Sequence, residues 1–400
     1  MNRIAQQFGM TCQRVWYRLR VFLRNSLICV IRLIPKTSQS KINTDARGVC
    51  ILKLDHIGDF VLCTGALDRI VSAYDQKEIY LICSPIAKVI ADQRYPDINV
   101  IAVPPLAGFK EIFKAWRTIR RELSGLRFEL IVSLRYQIDS YDALIIGQIS
   151  YDRCVGTHID GKKRMELMSD RVFTETVPYP CGEFSLTESQ PNSSIPCHEI
   201  RCHADILTQA LKKDVDWKHV IPYWSNARVE DSDDNILIFP FGSTRIKDYP
   251  LARWGRLLSQ LEREFDGEII LCSVPSDRHR LSKIAESMSP KTPSRVRLEY
   301  NLSIIELIDS ISSARLIVSV DTGPAHIATC LDRDAVFILG GGHFGHFAPW
   351  RNSCRQVWIT QRLDCFGCQW HCIRDSAECV TKISTDEILA EITCRLNDEL

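Results

Sequence analysis

The sequence predicts an α/β protein of two facing Rossmann-like domains, preceded by an N-terminal amphipathic helix. Two segments carry that reading: Val49-Cys-Ile-Leu-Lys-Leu-Asp-His-Ile-Gly-Asp-Phe60 and Leu316-Ile-Val-Ser-Val-Asp-Thr-Gly-Pro-Ala-His326. In each, an almost wholly apolar run, as a parallel strand covered on both faces requires, passes through a polar turn into a helical pattern. A third observation is the alternation of strand-like and helix-like stretches in both halves of the chain. Open α/β sheets bind ligands outside the carboxyl ends of their strands, so two such corners predict two sheets facing one cleft.

The first 47 residues form a basic leader and linker, with Asp45 their single acid. At about 100° per residue, Val15, Trp16, Leu19, Phe22, Leu23, Leu27, Val30 and Ile34 share one helix face. Arg14, Arg18, Arg24 and Arg32 lie on the other. This pattern predicts a helix lying in the interface of an anionic membrane, and a helix packed on the protein's own surface is the alternative. The apolar run Leu27 to Ile34 is broken by Arg32, too short to span a bilayer, and followed by no small-residue cleavage site, unlike a signal peptide.

Strand-like runs follow at Val49–Leu54, Ile79–Cys83, Val100–Val103 and Leu130–Leu134, with helical stretches such as Ile112 to Leu123 between them. Residues 158–197 are polar and rich in Pro and Gly, which predicts loops around an acceptor, before a helix from Cys197 to Leu211. Asp214 to Asn235 reads as the interdomain connection and ends in the acidic run Glu230 to Asp234. Alternation resumes with strands at Ile236–Phe239, Glu268–Cys272, Leu316–Val320 and Val336–Leu339. Helices begin near Leu251, Asp277, Ser303 and Pro324, and a last one runs from Thr385 to Leu396. The division is a leader at 1–47, a first Rossmann-like domain at 48–215, a linker at 216–235 and a second Rossmann-like domain at 236–400.

Four hundred residues at 45% hydrophobic content suffice for two full cores. A net charge of +1 gives no reason to expect a nucleic-acid partner, which usually needs a basic face. Most of the 17 cysteines stand singly in apolar runs, as Cys50, Cys63, Cys83, Cys272 and Cys330 do. Small buried thiols look like this and a disulfide framework does not, which points to the cytoplasm.

The residues able to do chemistry lie at the predicted strand ends. In Phe239-Pro-Phe-Gly-Ser-Thr-Arg-Ile-Lys-Asp-Tyr-Pro250, Gly242 lets backbone approach a ligand, Ser243 and Thr244 offer donors, and Lys247 adds a cation. The loop suits a diphosphate although it lacks the phosphate-loop spacing, and ordinary turn chemistry is the alternative. Downstream of Asp321, Thr322 is a suitable N-cap and Pro324 sits in the first helical turn, where its missing N–H costs nothing. Thr322 and Gly323 would present free N–H groups to an anion at a helix start. His326 lies one turn in, either on the ligand or held by a neighbour. Near the C-terminus, the spacing Cys365-x2-Cys368-x3-Cys372-x6-Cys379 suits a structural zinc, with His371 able to replace one thiolate. Reduced packing thiols or disulfides are the alternatives.

Together these segments resemble glycosyltransferase family 9, the heptosyltransferases that build the inner core of lipopolysaccharide. The resemblance runs from Val49 to about Ile388. It rests on Lys53-Leu-Asp-His-Ile-Gly-Asp59, on Gly242 through Pro250 with Lys247, on Asp321-Thr-Gly-Pro-Ala-His326, and on Gly340-Gly-Gly-His-Phe-Gly-His-Phe-Ala-Pro-Trp350. It implies the GT-B arrangement, an ADP-activated heptose donor held mainly by the second domain, and inverting transfer with no obligatory metal or other cofactor. Taken with the amphipathic leader, it points to a lipid-linked glycan acceptor and a peripheral location on the inner face of the cytoplasmic membrane.

Carried over by residue, the family's general base falls on Asp59; a carboxylate suits the task of taking the acceptor hydroxyl's proton. A helix N-cap is the bland role for the same Asp. Lys247 matches the phosphate-binding Lys and would neutralise charge on the departing ADP. Asp277 falls where the family has an acid near the nucleoside. Tyr249-Pro250 replaces the usual Trp-Pro, His56 replaces a small polar residue, and the triple-Gly loop with His343 and His346 is unusual. These departures leave the sugar and acceptor open. A UDP-sugar transferase or epimerase of the same fold, and a catalytically retired membrane-bound scaffold, are the competing readings.

Overall fold

A computed structural model describes residues 46–105, 108–158, 169, 171–179, 198–225, 233–288, 295–351 and 353–397. The amphipathic leader and most of the loop stretch 158–197 fall outside the described residues. The chain divides into two compact units.

Among the described residues, the first unit comprises 46–55, 70–179 and 205–214. Its sheet has six strands: β1 (Val49–Lys53), β2 (Ile79–Cys83), β3 (Asn99–Ala102), β4 (Arg127–Ser133), β5 (Ser150–His158) and β6 (Glu175–Pro178). The order is β3-β2-β1-β4-β5-β6, and the pairs are parallel, for example Val49↔Ile79 and Val49↔Leu130. All five residues of β1 are buried, as its apolar run predicts. Helices α1 (Ile57–Ala73), α2 (Pro85–Arg94), α3 (Phe109–Glu122) and α4 (Ser140–Ile146) link the strands. Asp139 and Asp142 form a reciprocal cap at the start of α4. Residues 57–69 of α1 count with the second unit, as do 198–204 of α5 (His198–Leu211).

The second unit's sheet is built from β7 (Asp233–Phe239), β8 (Glu268–Cys272), β9 (Val296–Glu299), β10 (Ala314–Val320), β11 (Ala335–Ile338) and β12 (Gln356–Ile359). Its order, β12-β11-β10-β7-β8-β9, repeats the winding of the first sheet. The helices are α6 (Leu251–Glu264), α7 (Arg278–Glu286), α8 (Ile304–Ser313), α9 (Gly323–Cys330), α10 (Glu378–Thr381) and α11 (Thr385–Asn397). Trp254, Leu257, Leu258 and Leu261 of α6 turn one face into the core against Ile236, Ile238, Ile269 and Leu271. Ser303 and Glu306 cap α8 reciprocally. The two Rossmann-like sheets are those the sequence predicts. The strands it does not announce are β5, β6, β9 and β12. β5 mixes Asp152 and Arg153 with apolar residues, and the other three are four-residue strands at sheet edges, too short for a periodic signal.

In both sheets the winding reverses direction between two neighbouring strands, β1 and β4 in the first, β7 and β10 in the second. Doubly wound sheets bind ligands beyond the carboxyl ends of such a pair. No disulfide joins the cysteines among the described residues. Burial pushes the Cys83 and Cys272 thiols up to about 12. No helix among the described residues is long and apolar enough to cross a membrane.

Candidate active site

The reversal point of the second sheet gathers the residues predicted from its two strand ends. The loop after β7 carries Gly242 to Lys247, and β10 ends directly at Asp321. Lys247 Nζ donates to Asp321 Oδ2 at 2.7 Å, with the two side chains 15% and 7% exposed. Burial raises the Asp321 carboxyl, but the charge of Lys247 and the proximity of His326 outweigh it and hold Asp321 below the ordinary aspartate value. Gly242 leaves room for this approach. A Cβ there would stand 3.0 Å from Lys247 Cβ and 3.5 Å from the Asp321 carbonyl.

Asp321 leads into α9. Thr322 occupies the N-cap position as predicted, but its side chain makes no capping hydrogen bond, and Pro324 sits at the second helical residue. His326 is buried one turn in. Trp350 Nε1 donates to its Nδ1 at 3.1 Å, which fixes a neutral ring with the proton on Nε2, 3.8 Å from Asp321 Oδ1. Burial, with Lys247 adding to it against the pull of Asp321, lowers His326 to about 4. His343 is lowered to about 4 by burial and Lys247. A neighbour, Trp350, therefore holds His326, and the ring lies beside the Lys247–Asp321 pair.

The first turn of α1 belongs to the same unit and packs on α9 through two glycines. A Cβ on Gly58 would lie 2.7 Å from His326 Cδ2, and one on Gly323 would lie 2.3 Å from Ile57 Cγ2. Phe60 N donates to His56 O at 3.0 Å, so the helix is capped from His56 and Asp59 is its third residue. Asp59 is therefore not the N-cap. It is partly exposed at the helix start, where the dipole favours a carboxylate.

Ser243 and Thr244 are exposed on the loop, with Thr244 O accepting from Lys247 N at 3.1 Å. Asp277 is held by Arg280 at 3.0 Å. Arg280 also pairs with Asp248 and lies 3.7 Å from the centroid of the Phe241 ring. Asp248 in turn accepts from Gly242 N at 3.1 Å. One polar chain thus ties Asp277 to the Gly242 loop. The sequence names the ends of that chain and misses Asp248 and Arg280, although both lie within six residues of named positions.

The Cys-rich segment lies against the triple-Gly loop. Gly367 N and Gln369 N donate to Gly341 O and Gly342 O, each at 2.8 Å. A Cβ on Gly340 or Gly342 would stand 2.4 Å from the Trp370 ring, and one on Gly341 the same distance from Phe366. The face of Trp370 also lies 5.6 Å from Lys247 Nζ, a contact that the spacing of the cysteines does not announce. Cys365, Cys368, Cys372 and Cys379 line one cavity of about 10 Å³. Burial and the neighbouring sulfurs raise Cys372 and Cys379. Among the described residues no group of three or more His, Cys, Asp or Glu side chains is placed to hold a metal, so the four sulfurs share a cavity without a ligand geometry for zinc.

The first unit's reversal point holds a buried charge network. Lys53 is fully buried, donates to Leu134 O at 2.7 Å and lies 3.2 Å from Asp55. Arg135 Nε donates to Asp55 at 2.9 Å, and its other end pairs with the buried Asp142. Burial raises Asp142 to about 7, against the pull of Arg135.

Two doubly wound six-stranded sheets are the fold of a GT-B glycosyltransferase. The chain belongs to glycosyltransferase family 9 (heptosyltransferase), whose family model matches residues 172–372. It is 22% identical over 312 residues to the lipopolysaccharide core heptosyltransferase OpsX of Haemophilus influenzae, covering 76% of this chain and 82% of that one. A family 9 glycosyl transferase from Veillonella parvula has the same fold at a TM-score of 0.67 and 13% identity, covering 89% of this chain and 99% of its own. The E. coli heptosyltransferase WaaC, solved with ADP-2-deoxy-2-fluoro heptose, aligns at a TM-score of 0.60 and 15% identity, over 88% and 99% of the two chains.

Proposed function

We propose that the protein transfers a heptose or closely related sugar from an ADP-activated donor to a lipopolysaccharide-core or other lipid-linked glycan hydroxyl, inverting the anomeric centre without a metal. The observation that carries this is the Lys247–Asp321 pair at the reversal point of the second sheet, beside the first turn of α9. The names of the related proteins, a lipopolysaccharide core heptosyltransferase and a heptosyltransferase solved with an ADP-heptose analogue, support the donor and acceptor class.

In this reading Asp59 accepts the proton of the acceptor hydroxyl as its oxygen attacks the anomeric carbon. The bond from that carbon to the ADP oxygen breaks on the opposite side. Lys247, with the N–H groups of Thr322 and Gly323 and the donors of Ser243 and Thr244, receives the negative charge that accumulates on the departing diphosphate. Asp321 is itself an anion and would repel the phosphates, so its part is to aim the ammonium. Asp277 faces the nucleoside, oriented by Arg280. The leader holds the enzyme peripherally on the inner face of the cytoplasmic membrane, near its acceptor.

A panel of ADP- and UDP-sugars, with bound species identified by mass spectrometry and the product anomer read by NMR, tests the proposal. Binding of ADP-heptose in preference to UDP-sugars, with an inverted product formed in the presence of EDTA, supports it. Preference for a UDP-sugar would replace it with the competing transferase or epimerase reading, and binding without turnover would favour the scaffold.

A further inference from the structure

Helix α3 (Phe109–Glu122) of the first unit divides its surface into four stripes at about 100° per residue. Ile112, Ala115 and Ile119 form the buried stripe. Beside it run Phe109 and Phe113, 46% and 49% exposed, with the half-buried Trp116 and Arg120. Lys110, Lys114, Arg117 and Arg121, all exposed, form the next stripe, and Glu111, Thr118 and Glu122 complete the circle. The aromatic stripe is organised. Phe113 and Trp116 are 5.1 Å apart, Arg120 lies 5.1 Å over the Trp116 ring, and Trp116 Nε1 donates to Gln148 at 3.1 Å.

We infer that this face of α3 is a docking surface for an anionic lipid bilayer. Two large aromatic side chains exposed on a helix already anchored by a separate buried stripe are not required by the core. Their place between the core and a row of four cations gives the combination by which interfacial helices bind: rings into the acyl boundary, Lys and Arg at the headgroups. Charge complementarity selects the occupant. A second copy would set like charges against each other, and so would the chain's own Arg-rich leader. Duplex nucleic acid would use the cations but keeps its bases stacked away from Phe109 and Phe113. The surface deepens the proposed reading of a membrane-held acceptor and rests on it for its use, though not for its existence. It also adds a second contact to that of the leader, and stable peripheral binding takes two weak signals.

The test uses the full chain and sedimentable vesicles, either of phosphatidylglycerol with phosphatidylethanolamine or of phosphatidylcholine alone. Anionic vesicles should slow amide hydrogen exchange across residues 109–122, and phosphatidylcholine should not. Phe109→Ser with Phe113→Ser, and separately Lys110→Ala with Lys114→Ala, should each lower partitioning onto anionic vesicles by about tenfold or more. Transfer to a soluble acceptor fragment should be unchanged in both variants, which checks that they fold. The inference is overturned if the variants partition like the parent, or if duplex DNA and not vesicles protects the helix. It is equally overturned if the helix is protected without vesicles and loses that protection when residues 1–36 are deleted. Vesicle protection in a protein that transfers no sugar would support the surface and sink the activity, so the two failures read apart.

Discussion

Lys247 and Asp321 stand 74 residues apart in sequence, and their side chains meet at 2.7 Å because their strands, β7 and β10, are neighbours at the reversal of the sheet. Only a parallel sheet that winds outward in both directions brings these two ends together. The pair is mostly buried, so each member is costly without the other.

Lys247→Ala is therefore predicted to have two separable effects. Affinity for ADP should fall by about tenfold or more, the value of one charge-assisted hydrogen bond, and by less for AMP, which lacks the second phosphate. Stability should also fall, by about 3 kcal/mol or more, because Asp321 is left as a buried unpaired anion. Adding Asp321→Asn should restore most of that stability without restoring ADP binding. Calorimetric titration and urea unfolding measure the two effects. Unchanged binding of both nucleotides would reduce the loop to a turn.

Asp59→Asn keeps the shape of the α1 first turn and removes the proton acceptor. Asp59 is the third residue of the helix and not its N-cap, and Asn there keeps an oxygen that can accept a hydrogen bond, so the fold should lose little. Turnover should drop by a factor of about 10² or more with donor binding nearly intact. A variant with near-normal turnover would reassign the base.

Which parts of this site were legible follows from where the information lies. Gly242, Lys247, Asp321 and His326 sit in runs where a buried apolar strand gives way to polar residues, and that change is written in consecutive letters. Asp248 and Arg280 become meaningful only once β8 lies beside β7 and brings Asp277 to the loop. Trp370 was hidden for a different reason. The cysteines around it suggested a metal, whereas the signal that mattered was Gly340-Gly-Gly342, three residues without side chains where an indole and a phenyl ring press on the backbone. The network of Lys53, Asp55, Arg135 and Asp142 was likewise unannounced, since a lysine fully buried in a strand reads as an interruption until Asp55 and the residues that follow β4 are in place.

His326 should make stability depend on pH in a defined direction. Its folded value, about 4, lies below the ordinary 6.5, so between these values the unfolded chain binds the proton more readily. Stability from this group is fully present above about pH 6.5 and is lost as pH falls toward 4, by about 3 kcal/mol in total. Asp142, raised to about 7, contributes with the opposite sign, so the parent's profile alone is ambiguous. The difference between the parent and His326→Asn isolates the effect. The parent's stability advantage should shrink steadily from pH 7 to pH 4 in denaturant titrations. An advantage independent of pH would mean that His326 titrates normally in the folded protein.

Trp370 links the Cys-rich segment to the site, and its backbone shows that the contact is held under constraint. Gln369 and Trp370 have φ of 51° and 62°, a region that non-glycine residues enter at a cost of about 1–3 kcal/mol each. Their neighbours enforce it: Gln369 N is tied to Gly342 O, and the indole fills the space that side chains at Gly340 and Gly342 would occupy. The product of that constraint is an aromatic face 5.6 Å from the Lys247 ammonium. Trp370→Leu should remove the cation–π attraction and weaken ADP binding by about two- to fivefold, corresponding to about 0.5–1 kcal/mol. Trp370→Phe should keep most of the affinity. It retains a ring and discards an indole N–H that is buried with no hydrogen-bond partner among the described residues. Gly342→Ala should act like the Leu variant, since its Cβ would displace the ring, and combining the two should add little. ADP titrations of the four variants, with melting curves to confirm folding, decide the matter. If the Leu and Phe variants bind ADP alike, Trp370 is packing for the Cys-rich segment and leaves Lys247 unaffected.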